Sequence, residues 1–161
     1  MGFFNSMNIA ASGLTAQRLR MDTISENIAN VNTTRTQHGA GGPYQRKTVL
    51  FETITDTDPF NLVFNNVFGT WGGLNPAHQG MGVRVSQIVE DDSAGPLVFD
   101  PTHPDAYREG PMEGYVRMPN VNIVEEMVNM ISASRSYEAN ITAMQNFRTM
   151  TQRTLEIGQG R

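Results

Sequence analysis

The C-terminal stretch 123–157 reads IVEEMVNMISASRSYEANITAMQNFRTMTQRTLEI. Mostly apolar side chains recur along it at alternating steps of four and three residues. This spacing aligns side chains along one side of a long α-helix, as in the seam of a coiled coil. We call this set the C-terminal stripe: Ile123, Met127, Met130, Ser134, Tyr137, Ile141, Met144, Arg148, Thr151 and Leu155.

The N-terminal thirty residues carry the same pattern. The N-terminal stripe consists of Phe3, Met7, Ala10, Leu14, Gln17, Met21, Ile24, Ile28 and Val31. It predicts one helix from Phe3 to Val31, ended by the Asn- and Thr-rich segment 30–36, whose side chains offer the backbone competing hydrogen bonds. The second helix is predicted to start at Asn122 as a cap, with Glu125 completing a capping box, and to stop at Gly158.

The centre of the chain is different, because glycine and proline are concentrated there. Short runs of alternating or β-branched residues predict strands at 48–52, at 83–90, at 97–99 and at 115–117. In the second run, Val83, Val85 and Val89 alternate with polar residues, as in a half-buried strand. We therefore expect a small β-rich module with long loops.

The predicted fold is mainly α with a small β-rich insert. The long N- and C-terminal helices are expected to pair as a coiled-coil-like hairpin, with the β module between them in sequence. The predicted units are an N-terminal core helix at 1–36, a linker and central β-rich module at 37–118, and a C-terminal core helix at 119–161.

The apolar surface of the two helices is wider than one stripe each. Ile9 and Leu19 lie beside the N-terminal stripe, and Val124 and Val128 lie beside the other. Complete burial of each such side chain stabilises the protein by roughly 1.5–3 kcal/mol of transfer free energy, so leaving them exposed to solvent is unfavourable. We therefore predict neighbours from other subunits. The predicted assembly interface comprises Met7, Leu14, Met21, Ile24, Ile28, Val31, Met127, Met130, Ile131, Tyr137, Ile141, Met144, Phe147 and Leu155.

Composition excludes several classes of function. A net charge of −4 argues against a nucleic-acid binder, and the absence of cysteine excludes thiol catalysis and disulfides. No run approaches the ~20 apolar residues of a membrane span, and no cleaved signal pattern is expected. His38, His78 and His103 lack metal-ligand spacing. We predict no enzyme activity, no metal and no cofactor.

Two separated motifs carry a resemblance. The segments 12–17 (SGLTAQ) and 27–34 (NIANVNTT) resemble the N-terminal signature of bacterial flagellar rod and hook proteins. The continuation TTRT at 33–36, and above all EMVNMISASRSYEAN at 126–140, is similar to the C-type proximal rod subunit of the basal body. The residues carried over are Ser12, Gly13, Asn27, Asn30, Thr33, Arg135 and Asn140. Residues 60–76 match nothing in that family, and 108–112 look like a short insertion.

The resemblance implies a structural subunit of the proximal rod, which crosses the periplasm as a hollow drive shaft. Such subunits stack helically through their terminal helices, transmit torque for motility, and leave the cell through the flagellar type III export apparatus without a cleaved signal. The implied partners are copies of the chain itself, other rod proteins, and basal-body adaptor and membrane-ring proteins.

Two alternatives stay open at this point. The chain can be a helical adaptor of a flagellar or type III export apparatus that docks a partner without polymerising. It can also be a small hydrolase with a central site, although no nucleophile, base or metal constellation supports this. A stable, fully helical, cooperatively melting monomer would favour the adaptor.

Overall fold

A computed structural model describes residues 3–36, 42–54 and 82–159 of the chain. Two long helices flank four strands, which confirms the mainly α class with a small β-rich insert. The elements are α1 (Phe3–Ala29), β1 (Lys47–Thr53), β2 (Val83–Glu90), β3 (Leu97–Phe99), β4 (Tyr115–Arg117) and α2 (Ile123–Gln159). The segment 60–76, His38 and His78 lie outside the described residues.

The two helices pack against each other and run in opposite directions. Asn27, near the end of α1, contacts Glu126, near the start of α2. Fourteen residues earlier in α1, a Cβ added at Gly13 would lie 2.9 Å from the side chain of Asn140, fourteen residues later in α2. These two pairs define one register, in which Phe3 is level with Met150. The last turns of α2 therefore extend beyond the described start of α1.

Polar side chains determine where α1 ends and where α2 begins. α1 ends at Ala29, two residues before the predicted Val31, because Asn30 turns back and its side-chain amide donates to the Glu26 carbonyl over 2.9 Å. At the start of α2 the Asn122 side chain accepts from the Val124 amide at 3.1 Å, which confirms the predicted cap. The predicted capping box is wrong, since the Glu125 carboxylate binds Arg46 instead.

The four predicted strands are all present, as two antiparallel pairs. β1 pairs with β2, with an irregularity between Leu50 and Phe51, and β3 pairs with β4. The predicted alternation of burial holds for Val83 and Val85 but is wrong for Val89, which is exposed. The reason is that β2 has one extra residue, Ser86, at the irregularity. Side chains after it therefore lie on the opposite face of the pair from the one that strict alternation predicts.

Loops fix the β pairs to the helices. The Ser12 hydroxyl on α1 accepts from the amide of Val83, the first residue of β2, at 3.1 Å. Gly82 makes this approach possible: its φ of 121° suits glycine, and a Cβ there would lie 2.2 Å from the Ser12 oxygen. On the other side, Asp105 binds Arg35 at 2.6 Å and Thr34 at 2.7 Å, which ties the loop before β4 to the segment after α1.

The buried core is thin. Within the described residues, the buried apolar side chains are Ala10, Ala16, Ile24, Tyr44, Val49, Val116 and Ala133. Three of these are alanine, so the area removed from water is small for helices of this length. Among the described helices, none combines the length and apolarity needed to cross a membrane.

Candidate assembly surface

A buried polar cluster joins the end of α1, the start of β1 and the start of α2. Asn27 is 1% exposed, and its amide nitrogen donates to Glu126 at 3.0 Å and to the Lys47 carbonyl at 2.9 Å. Its amide oxygen accepts from the Tyr44 hydroxyl and from the Lys47 backbone N–H, both at 2.9 Å. All hydrogen-bonding capacity of this buried amide is therefore used on three different parts of the chain.

Glu126 is the second member of this cluster and is also 1% exposed. Its other carboxylate oxygen accepts from Nε of Arg46 at 2.8 Å and lies 2.8 Å from Nη2 of the same guanidinium. Burial lowers the pKa of Arg46, but the hydrogen bond and the charge of Glu126 outweigh it and raise the pKa above its ordinary value. Both carboxylate oxygens of Glu126 therefore have hydrogen-bond partners, and its charge is neutralised by Arg46, as a buried charge requires.

Tyr44 completes the cluster from the segment before β1. Burial raises the pKa of its hydroxyl to about 12, and the carboxylates of Glu26 and Glu90 add to the effect. Asn120, before α2, accepts from the backbone N–H of Arg46 at 2.7 Å and donates to the Asp91 carbonyl at 2.8 Å. The cluster therefore fixes how both helices meet the β1–β2 pair.

Most residues of the family signature make contacts within the chain, although only Gly13 and Asn27 are buried. Ser12 contacts β2, Gly13 packs against Asn140, and Asn27 belongs to the polar cluster. Asn30 accepts from the Thr33 hydroxyl at 3.1 Å in the turn after α1. The signature therefore maintains the fold of one subunit. The exception is Arg135, which is exposed on α2.

Most of the buried positions of α1 lie next to the N-terminal stripe, although Ala10 and Ile24 of the stripe are buried as well. Gly13, Ala16, Thr23 and Asn27 are buried and follow steps of three, seven and four on one face of α1. This places the inner face of α1 one residue before the N-terminal stripe. Of that stripe's interface candidates, Ile24 is buried, Leu14, Met21, Ile28 and Val31 are half-buried, and Met7 is exposed.

The C-terminal stripe divides in the same way. Its interface candidates Met130, Tyr137, Ile141 and Met144 are half-buried, and Met127 and Leu155 are exposed. Beside the stripe, the candidate Phe147 is half-buried and Ile131 is exposed. The inner face of α2 is instead marked by the buried residues Glu126 and Ala133, seven residues apart. The apolar patterns of the sequence did not indicate that Glu126, Arg46 and Tyr44 would form a cluster. The heptad spacing of Glu126, Ala133 and Asn140 was the signal available for it.

The first three turns of α2 present an exposed apolar face. Val124, Met127, Val128 and Ile131 follow the spacing of one helix side, and their exposures are 70%, 54%, 62% and 53%. We call these four residues the apolar face of α2. Arg135 comes four residues after Ile131 on the same side and ends it. Contiguous exposed apolar residues of this kind mark interaction surfaces.

A second apolar surface lies at the far end of α2. Met150, Leu155 and Ile157 are exposed there, Ile157 by 81%: Met150 is level with the described start of α1, and the other two lie beyond it. Long helices without packing partners are marginal in water, so this end needs a neighbour. Among the described residues, no group of His, Asp and Glu is placed to hold a metal ion.

Family models match both ends of the chain. One described as "Flagella basal body rod protein" matches residues 7–36, and one described as "Flagellar basal body rod FlgEFG protein C-terminal" matches residues 112–157. The first covers most of α1 and the turn after it. The second covers β4 and nearly all of α2, including the apolar face of α2.

Curated relatives match over the full length. The chain is 48% identical over 165 aligned positions to the flagellar basal-body rod protein FlgC of Borreliella burgdorferi, which covers 99% of this chain and 100% of the relative. It is 45% identical over 161 positions to FlgC of Bacillus subtilis, with the same coverage. FlgC of Escherichia coli is 35% identical over 159 positions, again with 99% and 100% coverage.

Proposed function

We propose that this chain, which belongs to the family of flagellar basal-body rod proteins named FlgC, builds its part of the rod through the outer faces of its two terminal helices. As a member of that family it is a structural subunit of the rod of the flagellar basal body. It assembles there with other rod components. We further propose that this chain belongs to the proximal part of the rod.

The apolar face of α2 carries this proposal. The documented contacts between the helices use Gly13, Asn27, Glu126 and Asn140, and most large apolar side chains of the helices other than Ile24 remain partly or largely exposed. Burying one of them completely contributes roughly 1.5–3 kcal/mol. Faces on different sides of one subunit suit heterologous contacts that do not close, which generate a helical tube. We propose that the predicted interface residues fill this role, except Ile24, which is already buried within the subunit.

Torque transmission follows from the same arrangement. A drive shaft needs each subunit to be rigid and each contact to be extensive. The buried cluster around Asn27 and Glu126 supplies the first requirement, and the outer helix faces supply the second. We propose that the helices form a coiled-coil-like hairpin in the inner tube, with the β module outside.

The route and the partners are part of the proposal. We propose that the chain leaves the cell through the flagellar type III export apparatus without a cleaved signal, and that its rod crosses the periplasm. Basal-body adaptor and membrane-ring proteins are the proposed contacts at the inner end. The three units at 1–36, 37–118 and 119–161 then correspond to core, outer module and core. No enzymatic role, nucleic-acid binding or membrane insertion is proposed.

The charge substitution Val128→Asp tests the proposal in a strain that lacks its own copy of the gene. A carboxylate in the middle of the apolar face of α2 should prevent rod formation and motility, while the purified chain keeps its helix content by circular dichroism. Thr142→Asp is the matched control, because it adds the same charge to an exposed polar position later in α2. Motile cells with normal rods carrying Val128→Asp would contradict the proposal.

The motility of Val128→Asp cells alone does not distinguish a rod subunit from the adaptor alternative. An adaptor that does not polymerise would still dock its partner through α2, so Val128→Asp would affect motility in either case. The protein composition of isolated rods distinguishes the two hypotheses. A rod subunit is recovered from purified rods in several copies, whereas an adaptor is absent from them.

A further inference from the structure

A cleft lies between the segment after α1, the loop before β4 and β4 itself. Its volume is about 230 Å³, and its walls include Arg35, Pro43, Asp105, Tyr107, Arg108 and Arg117. This is smaller than the roughly 300–1,000 Å³ of sites that hold a whole small molecule. It has room for one side chain of a partner.

The cleft is positively charged in a chain whose net charge is −4. Three arginines line it, and the single acidic residue, Asp105, already binds Arg35 and the Thr34 hydroxyl. The other two guanidinium groups, those of Arg108 and Arg117, have no acidic partner among the described residues. An anion entering the cleft would therefore meet an excess of positive charge.

Arg117 adds a second, independent observation. Its Nε is buried and has no hydrogen-bond partner within the part of the chain that the structure describes. A buried charged donor without an acceptor is costly, so Arg117 is the arginine of the cleft that gains most from an anion beside its guanidinium group. A guanidinium presents parallel N–H groups that match the two oxygens of a carboxylate.

We propose that this cleft binds one carboxylate side chain from an acidic segment of a partner protein. Arg117 and Arg108 receive the carboxylate, and Arg35 closes the edge next to Asp105. Pro43 and Tyr107 provide apolar walls for the methylene groups of a glutamate, which a free inorganic anion would not use. The site is distinct from the helix faces of the proposed assembly, so it adds a contact made by the outer module.

The test is a titration of the full chain with an oligoglutamate peptide at low salt, followed by calorimetry or by NMR shifts. We expect saturable binding that weakens as salt rises. Arg117→Gln and Arg108→Gln should each weaken it by about tenfold or more, as expected when a charge-assisted hydrogen bond is lost. Arg117→Lys keeps the charge but not the planar fork, and it should also weaken binding.

Controls separate this site from general electrostatics. Arg84→Gln removes an exposed arginine of β2 that binds Glu52, outside the cleft, and it should leave binding unchanged. An oligoglutamine peptide of equal length should not bind. Equal losses for Arg84→Gln and Arg117→Gln, or inorganic phosphate binding more tightly than the acidic peptide, would overturn the proposal. Arg108 lies on an exposed turn, so its variant keeps the test valid if Arg117→Gln fails to fold.

Discussion

The side-chain amide of Asn27 donates a hydrogen bond of 3.0 Å to the carboxylate of Glu126 and so connects the last turn of α1 with the first turn of α2. The two residues are 99 positions apart in the chain, and both are almost completely buried. Around them, Arg46 and Tyr44 bring in the segment that leads into β1. The hydrogen-bonded contact between the helices at this end is therefore polar and specific, while Val124, Met127 and Val128 on the same turns of α2 are exposed.

The first prediction concerns the stability of this cluster. Glu126→Ala should lower the free energy of unfolding by about 3 kcal/mol, because it leaves the Arg46 guanidinium partly buried without its main partner. Thermal unfolding followed by circular dichroism measures the effect. Glu125→Ala removes the more exposed carboxylate that binds the same guanidinium, and it should cost about 0–1 kcal/mol. Equal losses for both variants would show that burial does not control the energetics.

The second prediction concerns Gly82. Replacing it with alanine should destabilise the chain, because the residue has a φ of 121° and the new Cβ would overlap the Ser12 hydroxyl. Gly110→Ala is the control, since φ is 97° there and nothing lies within 4 Å of a Cβ. The backbone strain of roughly 1–3 kcal/mol is common to both, so the additional loss at Gly82 measures the contact between α1 and β2. Indistinguishable melting curves would argue against that contact.

The third prediction concerns alkaline pH. The pKa of Tyr44 is about 12 in the folded chain and about 10 when unfolded, so the folded state holds its proton more tightly. The stabilisation is complete below pH 10 and is lost as the pH rises to 12, by at most about 1.4 kcal/mol per pH unit. Unfolding in denaturant at several pH values measures the slope. Tyr44→Phe should remove this part of the slope; an unchanged slope would place Tyr44 outside the buried cluster.

The fourth prediction concerns Arg135, the signature residue that is exposed. Arg135→Ala should leave thermal stability within about 0.5 kcal/mol of the original, as surface substitutions generally do. It should nevertheless reduce incorporation into rods, because Arg135 borders the apolar face of α2 and has no ion-pair partner among the described residues, so it can bind an acidic group on a neighbour. Quantitative blotting of purified basal bodies is the measurement. Full incorporation would mean that Arg135 serves no contact in the rod.

Much of the fold follows from the sequence because local patterns determine it. The steps of three and four gave both helices, the Asn122 cap gave the start of α2, and β-branched runs gave all four strands. The sequence patterns did not reveal which sides of the two helices face each other. Hydrophobic spacing identifies apolar residues that need cover, without distinguishing cover by the same chain from cover by another subunit. Here the contact within the chain uses Gly13, Asn27, Glu126 and Asn140, which an apolar pattern cannot reveal.

The polar cluster was hidden for a related reason. Glu126 and Arg46 are 80 positions apart, and charged residues are ordinarily assigned to the surface. Only the pairing of α1 with α2 and the position of β1 bring them together. The family signature contained Asn27 as a letter in a motif, but its role as the centre of four hydrogen bonds required the three-dimensional arrangement.

The apolar face of α2 is exposed in the free subunit, and we propose that it is covered in the rod. The chain contains no cysteine, so Met127→Cys introduces a single thiol in the middle of that face. Its rate of reaction with a maleimide is compared between the purified monomer, intact isolated rods, and the same rods after dissociation. We expect rapid labelling of the monomer, protection in intact rods, and recovery of labelling on dissociation. Equal labelling of monomer and intact rods would show that no neighbouring subunit covers this face.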